Sequence, residues 1–209
     1  MKTSFFVFMA VCSFLIATVS FGTNLIVNGD FETGNTGFST QYQYSPGDYG
    51  LHQEGRYAIG SDPQYSHPDF TSFGDHTSST GNMMLVNGAT SLNVTVWEQS
   101  ISISPNTEYE FSFWLAECSS TPNEYLANLE TFINGISIGN IVQSSNPGEW
   151  IEFSKLWQSG LNTIATIRIV DIQTAVSTND FAIDDIHFVP EPATLLLLSL
   201  GGLILRKRK

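Results

Sequence analysis

Residues 107–117 read Thr-Glu-Tyr-Glu-Phe-Ser-Phe-Trp-Leu-Ala-Glu. Tyr109, Phe111, Phe113 and Leu115 fall on one face of an extended chain, and Glu110, Ser112, Trp114 and Ala116 on the other. Successive side chains of a strand point to opposite faces, so this alternation demands a sheet with one apolar face. The same pattern recurs in residues 91–104, through Val94, Val96, Ile101 and Ile103, and in 162–172, where Ile167 and Ile169 share a face. Residues 130–142 carry Asn134-Gly135 between two alternating runs, a strong hairpin signal. Further strands are expected in 24–34, 150–157 and 180–188. No stretch of the central chain has helical periodicity. Short strands punctuated by Gly, Asn and Pro across one domain predict an all-β sandwich or barrel.

Residues 34–81 interrupt the pattern with a long polar, turn-rich segment holding Pro46, Pro63 and Pro68. A loop of that length in a compact domain is functional or hides short strands. The two ends of the chain differ from its middle. Lys2 followed by the apolar run Phe5–Val19 reads as a secretory signal peptide over 1–22, with Ser20 and Gly22 offering a cleavage site. The expected domain spans 23–189. Pro190 and Pro192 should end it, because proline cannot continue a central strand or a helix. An uncharged run, 193–205, and four basic residues, Arg206–Lys209, close the chain. That run is shorter than the roughly 20 residues a comfortable membrane span requires, so 190–209 reads as a short hydrophobic helix used for sorting.

Between 23 and 189 the basic residues are Arg56, Lys155 and Arg168, set against every acidic residue of the chain except Glu191. Such a surface repels nucleic acid and suits calcium, which takes oxygen ligands; acidity also serves simple solubility. Only Cys118 remains after removal of the signal peptide, so no internal disulfide is possible, and the residue is expected buried. There is no nucleophile elbow, zinc-protease motif, P-loop or dinucleotide fingerprint. Glu110, Glu130 and Glu152 could be paired as a glycosidase would pair them, but any acidic β-protein offers such pairs. His67, Asp69, Asp75 and His76 form the one His/Asp cluster in sequence, without zinc-ligand spacing. Loop hydrogen bonding is the simpler reading there, with Asp75 tying down nearby amides.

Trp114 faces away from the Phe111/Phe113 stripe, beside Glu110 and Ser112, and so is the best candidate for a sugar-stacking platform. Trp97 and Tyr57 are further candidates. The alternative for each is ordinary packing in a sandwich.

Two resemblances add to this reading. Val189-Pro190-Glu191-Pro192-Ala193, with the leucine-rich run and basic end after it, resembles the PEP-CTERM sorting signal of Gram-negative bacteria. It implies export, transient membrane insertion through the tail, and recognition by an exosortase, an enzyme associated with exopolysaccharide and biofilm. The order of residues 24–34, 96–116 and 181–188 resembles the galactose-binding-like jelly roll of family 4/9 carbohydrate-binding modules. That resemblance implies a sandwich of two antiparallel sheets, side-by-side first and last strands, and a structural calcium where they meet. Carried onto this sequence, its ligands are Glu32 and Asp185, with Asp30 and Asp184 as alternates, since a one-residue bulge would exchange neighbours. The function implied is calcium-stabilised, non-catalytic binding of polysaccharide at the cell envelope or in the matrix; a structural matrix or adhesion protein, or a glycan hydrolase, would share these features.

Overall fold

The computed structural model describes residues 22–121, 125–175 and 178–191. The expected signal peptide and most of the expected tail, with its short hydrophobic helix, lie outside them. Gly22–Glu191 forms one compact unit. Its strands are β1 (Gln43–Tyr44), β2 (Arg56–Gly60), β3 (Met83–Asn87), β4 (Val94–Ser102), β5 (Glu108–Glu117), β6 (Asn128–Ile133), β7 (Ile136–Val142), β8 (Ile151–Gln158), β9 (Ile164–Asp171) and β10 (Phe181–Pro190). One short helix, α1 (Pro63–Ser66), sits between β2 and β3, with Asp62 accepting from the Gln64 amide at its start.

The strands make a six-stranded sheet, β1-β2-β3-β10-β5-β8, and a four-stranded sheet, β4-β9-β6-β7. Every pairing is antiparallel except the two-residue β1–β2 contact. This is a jelly-roll β-sandwich: the alternation called for a sandwich or barrel, and the family resemblance implied the jelly roll. Asn134 and Gly135 both take positive φ, 51° and 79°, and turn β6 into β7. Phe111, Phe113 and Leu115 of β5 meet Trp97, Leu129, Ile167 and Ile169 of the other sheet in a fully buried core. Each such side chain contributes roughly 1.5–3 kcal/mol through removal from water.

The first expected strand is not one. Residues 24–29 run beside β10 through single bonds: Leu25 N–H to the Phe188 carbonyl at 2.9 Å and Ile186 N–H to the Gly29 carbonyl at 2.9 Å. Asn24 completes the strap, its Oδ1 accepting from the Phe188 amide at 2.9 Å. A positive φ at Asn28 and at Phe31 bends the segment out of register. The last strand also runs past the expected stop. Pro190 pairs with Tyr109, and Glu191 N–H reaches the Glu108 carbonyl at 2.9 Å. Proline is tolerated there because it is the terminal residue of the strand.

Within 34–81, β1 and β2 join the six-stranded sheet, and the stretches around Leu51 and from His67 to His76 cover its outer face. Ala58, Leu85, Ala182 and Ala116 lie in one cross-strand row of that sheet. Leu51 and Phe70 pack over this layer with Met83 and Cys118, flanked by Phe73 and Trp150. The cover is tied down by Thr71 N–H to the Cys118 carbonyl and Ser120 N–H to the Asp69 carbonyl, both 2.8 Å. β3 is therefore buried on both faces, which explains its unbroken Met-Met-Leu-Val run.

Candidate functional site

Two places bring the chemistry together. The first is a corner where β10 bulges. Register slips by one residue between Asp184 and His187, and Asp185 takes φ 48°. That bulge turns two consecutive carboxylates to the same side. Asp184 is buried, its Oδ2 accepting from the His76 amide at 3.0 Å and its Oδ1 from the Asp185 amide at 2.8 Å. Burial, together with the charges of Asp185 and Asp75, raises the Asp184 pKa to about 8 against those hydrogen bonds. Asp185 Oδ2 lies 2.7 Å from His76 Nδ1 and also accepts from Thr77 Oγ at 2.6 Å. Asp75 closes the turn before β3, accepting from the Gly81 amide at 2.7 Å and the Ser78 amide at 2.9 Å. Burial opposes its charge, but the hydrogen bonds from Ser78, Gly81 and Thr80 hold its pKa below the ordinary Asp value.

Glu32 reaches the same turn: its Oε1 accepts from the Asn82 amide at 2.6 Å. A Cβ on Gly81 would stand 2.1 Å from Glu32 Oε1 and 3.0 Å from Asp75 Oδ2, so the glycine is what lets both carboxylates approach. Asp30 is exposed, and its side chain accepts from the Glu32 amide at 3.4 Å. All of these are oxygen donors of the kind calcium takes. Among the described residues, however, no three His, Cys, Asp or Glu side chains are grouped so as to hold a metal ion.

Trp114 borders this corner. His76 stacks on it, ring centroids 3.8 Å apart at 15°, and Trp150 meets His76 edge-on at 5.9 Å. One face of Trp114 is thus already taken. Glu110, further along β5, accepts from Ser154 Oγ. Trp97 and Tyr57 are core residues, not platforms. Trp97 is fully buried, and its Nε1 has no partner among the described residues. Tyr57 is 5 % exposed, with its hydroxyl donating to Asn35 Oδ1 at 2.7 Å. The His/Asp cluster divides: His67 Nδ1 accepts from the Asp69 amide at 3.2 Å and its ring meets Phe70, while His76 and Asp75 belong to the corner. The glutamate trio divides as well. Glu110 and Glu152 lie on the outer face of the six-stranded sheet, four residues apart in register, and Glu130 belongs to the other sheet.

The second place was not legible as a site in sequence. Residues 39–41 run along β4, with Ser39 bridged to Glu98 and Gln41 N–H reaching the Thr95 carbonyl at 2.9 Å. The four-stranded sheet thereby gains a fifth rail. One rung crosses all five: Ser39, Glu98, Arg168, Phe132 and Ser137. The alternating residues Thr131, Ile167 and Ile169 are buried, so this rung faces outward. The Arg168 guanidinium lies 5.1 Å over the Phe132 ring. Around it stand Ser100 with Thr166 (2.8 Å), Ser137 donating to Glu130 (2.6 Å) and Asn140 donating to Asn128 (2.8 Å). A hollow of about 230 Å³ beside Arg168 is lined by Ser39, Thr40, Gln41, Thr95 and Glu98. Among the described residues no carboxylate forms an ion pair with Arg168, which leaves its donors for a bound molecule.

No curated protein matches this chain by sequence. A Stig cyclase from Fischerella sp. TAU is similar in structure, with TM-score 0.56 and 12% identity over 83% of this chain and 99% of that one. A cyclase from the same organism, in complex with an indolyl butanone, gives 0.55 and 13% over 80% and 96%. A family 61 carbohydrate-binding module in complex with β-1,4-galactotriose gives 0.48 and 15% over 81% and 99%. At these identities the likeness to the two cyclases is one of fold alone. Residues 188–209 match the PEP-CTERM protein-sorting motif, that of an exported protein sorted to the cell envelope or extracellular space. The chain therefore joins a jelly-roll β-sandwich to a PEP-CTERM sorting motif at its C-terminal end.

Proposed function

We propose that this is an exported, non-catalytic glycan-binding protein, handled by an exosortase-type enzyme through its tail, and that it binds sugar on the outward rung of the four-stranded sheet. The observation that carries the reading is Arg168 over Phe132 at the centre of five strands, with hydroxyl and amide side chains on either side. An apolar ring with a few fixed polar groups is what orients a polyol. The guanidinium shields one ring face and offers planar donors to hydroxyl oxygens. Glu98 stands in the rung and Glu130 beside it on a strongly acidic protein, so the fitting ligand is an uncharged polysaccharide, not a polyanion. Pull-down on immobilised neutral and uronate-rich polysaccharides tests this. Retention on a neutral polymer, lost in Arg168→Ala and kept in Trp114→Ala, is expected. Equal retention of Arg168→Ala would remove the rung from the account, and loss confined to Trp114→Ala would return the site to the other sheet.

Calcium belongs to the same proposal as a structural ion at the β10 corner. Glu32 and Asp185, with Asp30 and Asp184 as alternates, are the side chains that would have to draw together to hold it, beside the turn that Asp75 closes. In favour stands Asp184, a buried carboxylate crowded by Asp185 and Asp75, whose charged form a cation would stabilise. Bound there, calcium supplies positive charge and oxygen coordination that fasten the strap 24–32 to β10. Thermal unfolding with and without EDTA reads the ion without reference to sugar.

A further inference from the structure

We infer that one end of the sandwich is a membrane seat: the end that carries the β6–β7 and β8–β9 turns rests on the bilayer while the tail is still attached. The inference rests on the reading of the tail as a membrane-inserted sorting signal and adds an orientation to it.

Three exposed aliphatic side chains mark this end. Leu161, in the β8–β9 turn, is 87% exposed; Ile136, after the β6–β7 turn, 70%; and Ile164, at the start of β9, 56%. They belong to one surface, because Asn134 in the β6–β7 turn donates from Nδ2 to the Ile164 carbonyl at 3.1 Å. Isolated exposed leucines need no explanation, but three such residues on neighbouring turns make a rim. The chain leaves the domain at the same end. Glu191 N–H is bonded to the Glu108 carbonyl, Glu108 pairs with Gln158, and Gly160 accepts from the Asn106 amide two residues before Glu108.

The tether is what commits this rim to a bilayer. The uncharged run begins at Ala193, two residues after Glu191. Two residues span at most about 7 Å of extended chain. A domain held that close to an inserted segment must present the end around Glu191 to the interface. Aliphatic side chains suit that position, where apolar groups sink into the headgroup boundary. The carboxylates here are Glu108 and Glu191, while Lys155 and Arg168 lie further along β8 and β9. The seat is therefore apolar insertion into a zwitterionic surface, not polybasic attraction to anionic lipid.

The test uses the processed chain from Thr23 with its tail, in which Cys118 is the one native cysteine, reconstituted into phosphatidylcholine vesicles containing a nitroxide-labelled lipid. Single bimane labels are placed through Leu161→Cys or, at the opposite end, Leu92→Cys, which is 65% exposed. Cys118 is buried and burial pushes its thiol pKa well up, so it does not compete for label. Vesicle flotation reads the tail, and lipid quenching reads the seat. Quenching several-fold stronger at position 161 than at 92 supports the inference. Flotation with equal quenching at both positions overturns the seat and leaves the tail reading standing. No flotation removes both. Cross-linking between copies through position 161, without lipid quenching, assigns this end to a second copy and also overturns the seat.

Discussion

Asp171→Asn should make the protein more stable near neutral pH. Asp171 ends β9 with no exposed surface. Its Oδ2 accepts from the Tyr42 hydroxyl and its Oδ1 from the Gln173 amide, both at 2.9 Å. Burial raises its pKa from 3.8 to about 6, against those hydrogen bonds. The folded state then holds the proton more tightly than the unfolded chain, so unfolding free energy falls as pH rises from about 4 to about 6 and stays low above. A shift of roughly two units corresponds to about 3 kcal/mol. Asp180, raised to about 6 by burial and by the charges of Glu54, Asp171 and Asp69, acts in the same direction. The variant carries no charge: its Oδ1 keeps the Gln173 amide, and its Nδ2 donates to the Tyr42 hydroxyl oxygen, which gives up its own donation to residue 171. At about pH 7.5 it should exceed the wild type by about 1–3 kcal/mol in urea unfolding, and the advantage should vanish near pH 4. Fluorescence of the buried Trp97 reports the transition. A variant less stable at neutral pH, with an unchanged pH slope, would refute the reasoning.

Three further outcomes are expected. EDTA should lower the melting temperature, and Glu32→Ala should abolish that sensitivity; a wild type indifferent to EDTA sinks the calcium proposal. Phe70→Ala should cost about 3–5 kcal/mol, because it removes the ring by which the cover packs on the sheet's outer face, and protease should then cut first within that cover; a loss under about 1 kcal/mol would mean the cover is not a packed layer. Gly88→Ala should destabilise by overpacking, since its Cβ would stand 2.3 Å from the Asn179 side chain; unchanged urea unfolding would contradict that contact.

The sheets were legible in the sequence wherever one face is buried and the other wet. Residues 108–117 and 164–171 alternate because the core lies on one side only, and Asn134-Gly135 names its own turn. β3 was not legible, because a strand buried on both faces loses its alternation. What hid it was the cover: Leu51 and Phe70 sit among turn residues whose polarity conceals their packing. At the β10 corner the acidic residues could be named from sequence, but not the one-residue bulge that turns Asp184 and Asp185 to the same side. Trp114 looked like an open platform, since nothing local shows that His76 stacks on it from the turn before β3. The rung through Arg168 and Phe132 is invisible for a further reason. It joins five segments whose register is set by long-range pairing, and each residue alone looks like an ordinary solvated position.

The account's central claim is that the outward rung is a neutral-glycan site, and a double-mutant cycle tests it most directly. Titration calorimetry with an uncharged oligosaccharide retained in the pull-down is run on wild type, Arg168→Ala, Phe132→Ala and the double variant. The account predicts at least about tenfold loss of affinity in each single variant, roughly 1.4 kcal/mol, and a double loss smaller than the sum, because guanidinium and ring act as one unit. Wild-type affinity in all three variants, or no binding of any uncharged glycan by the wild type, would contradict it.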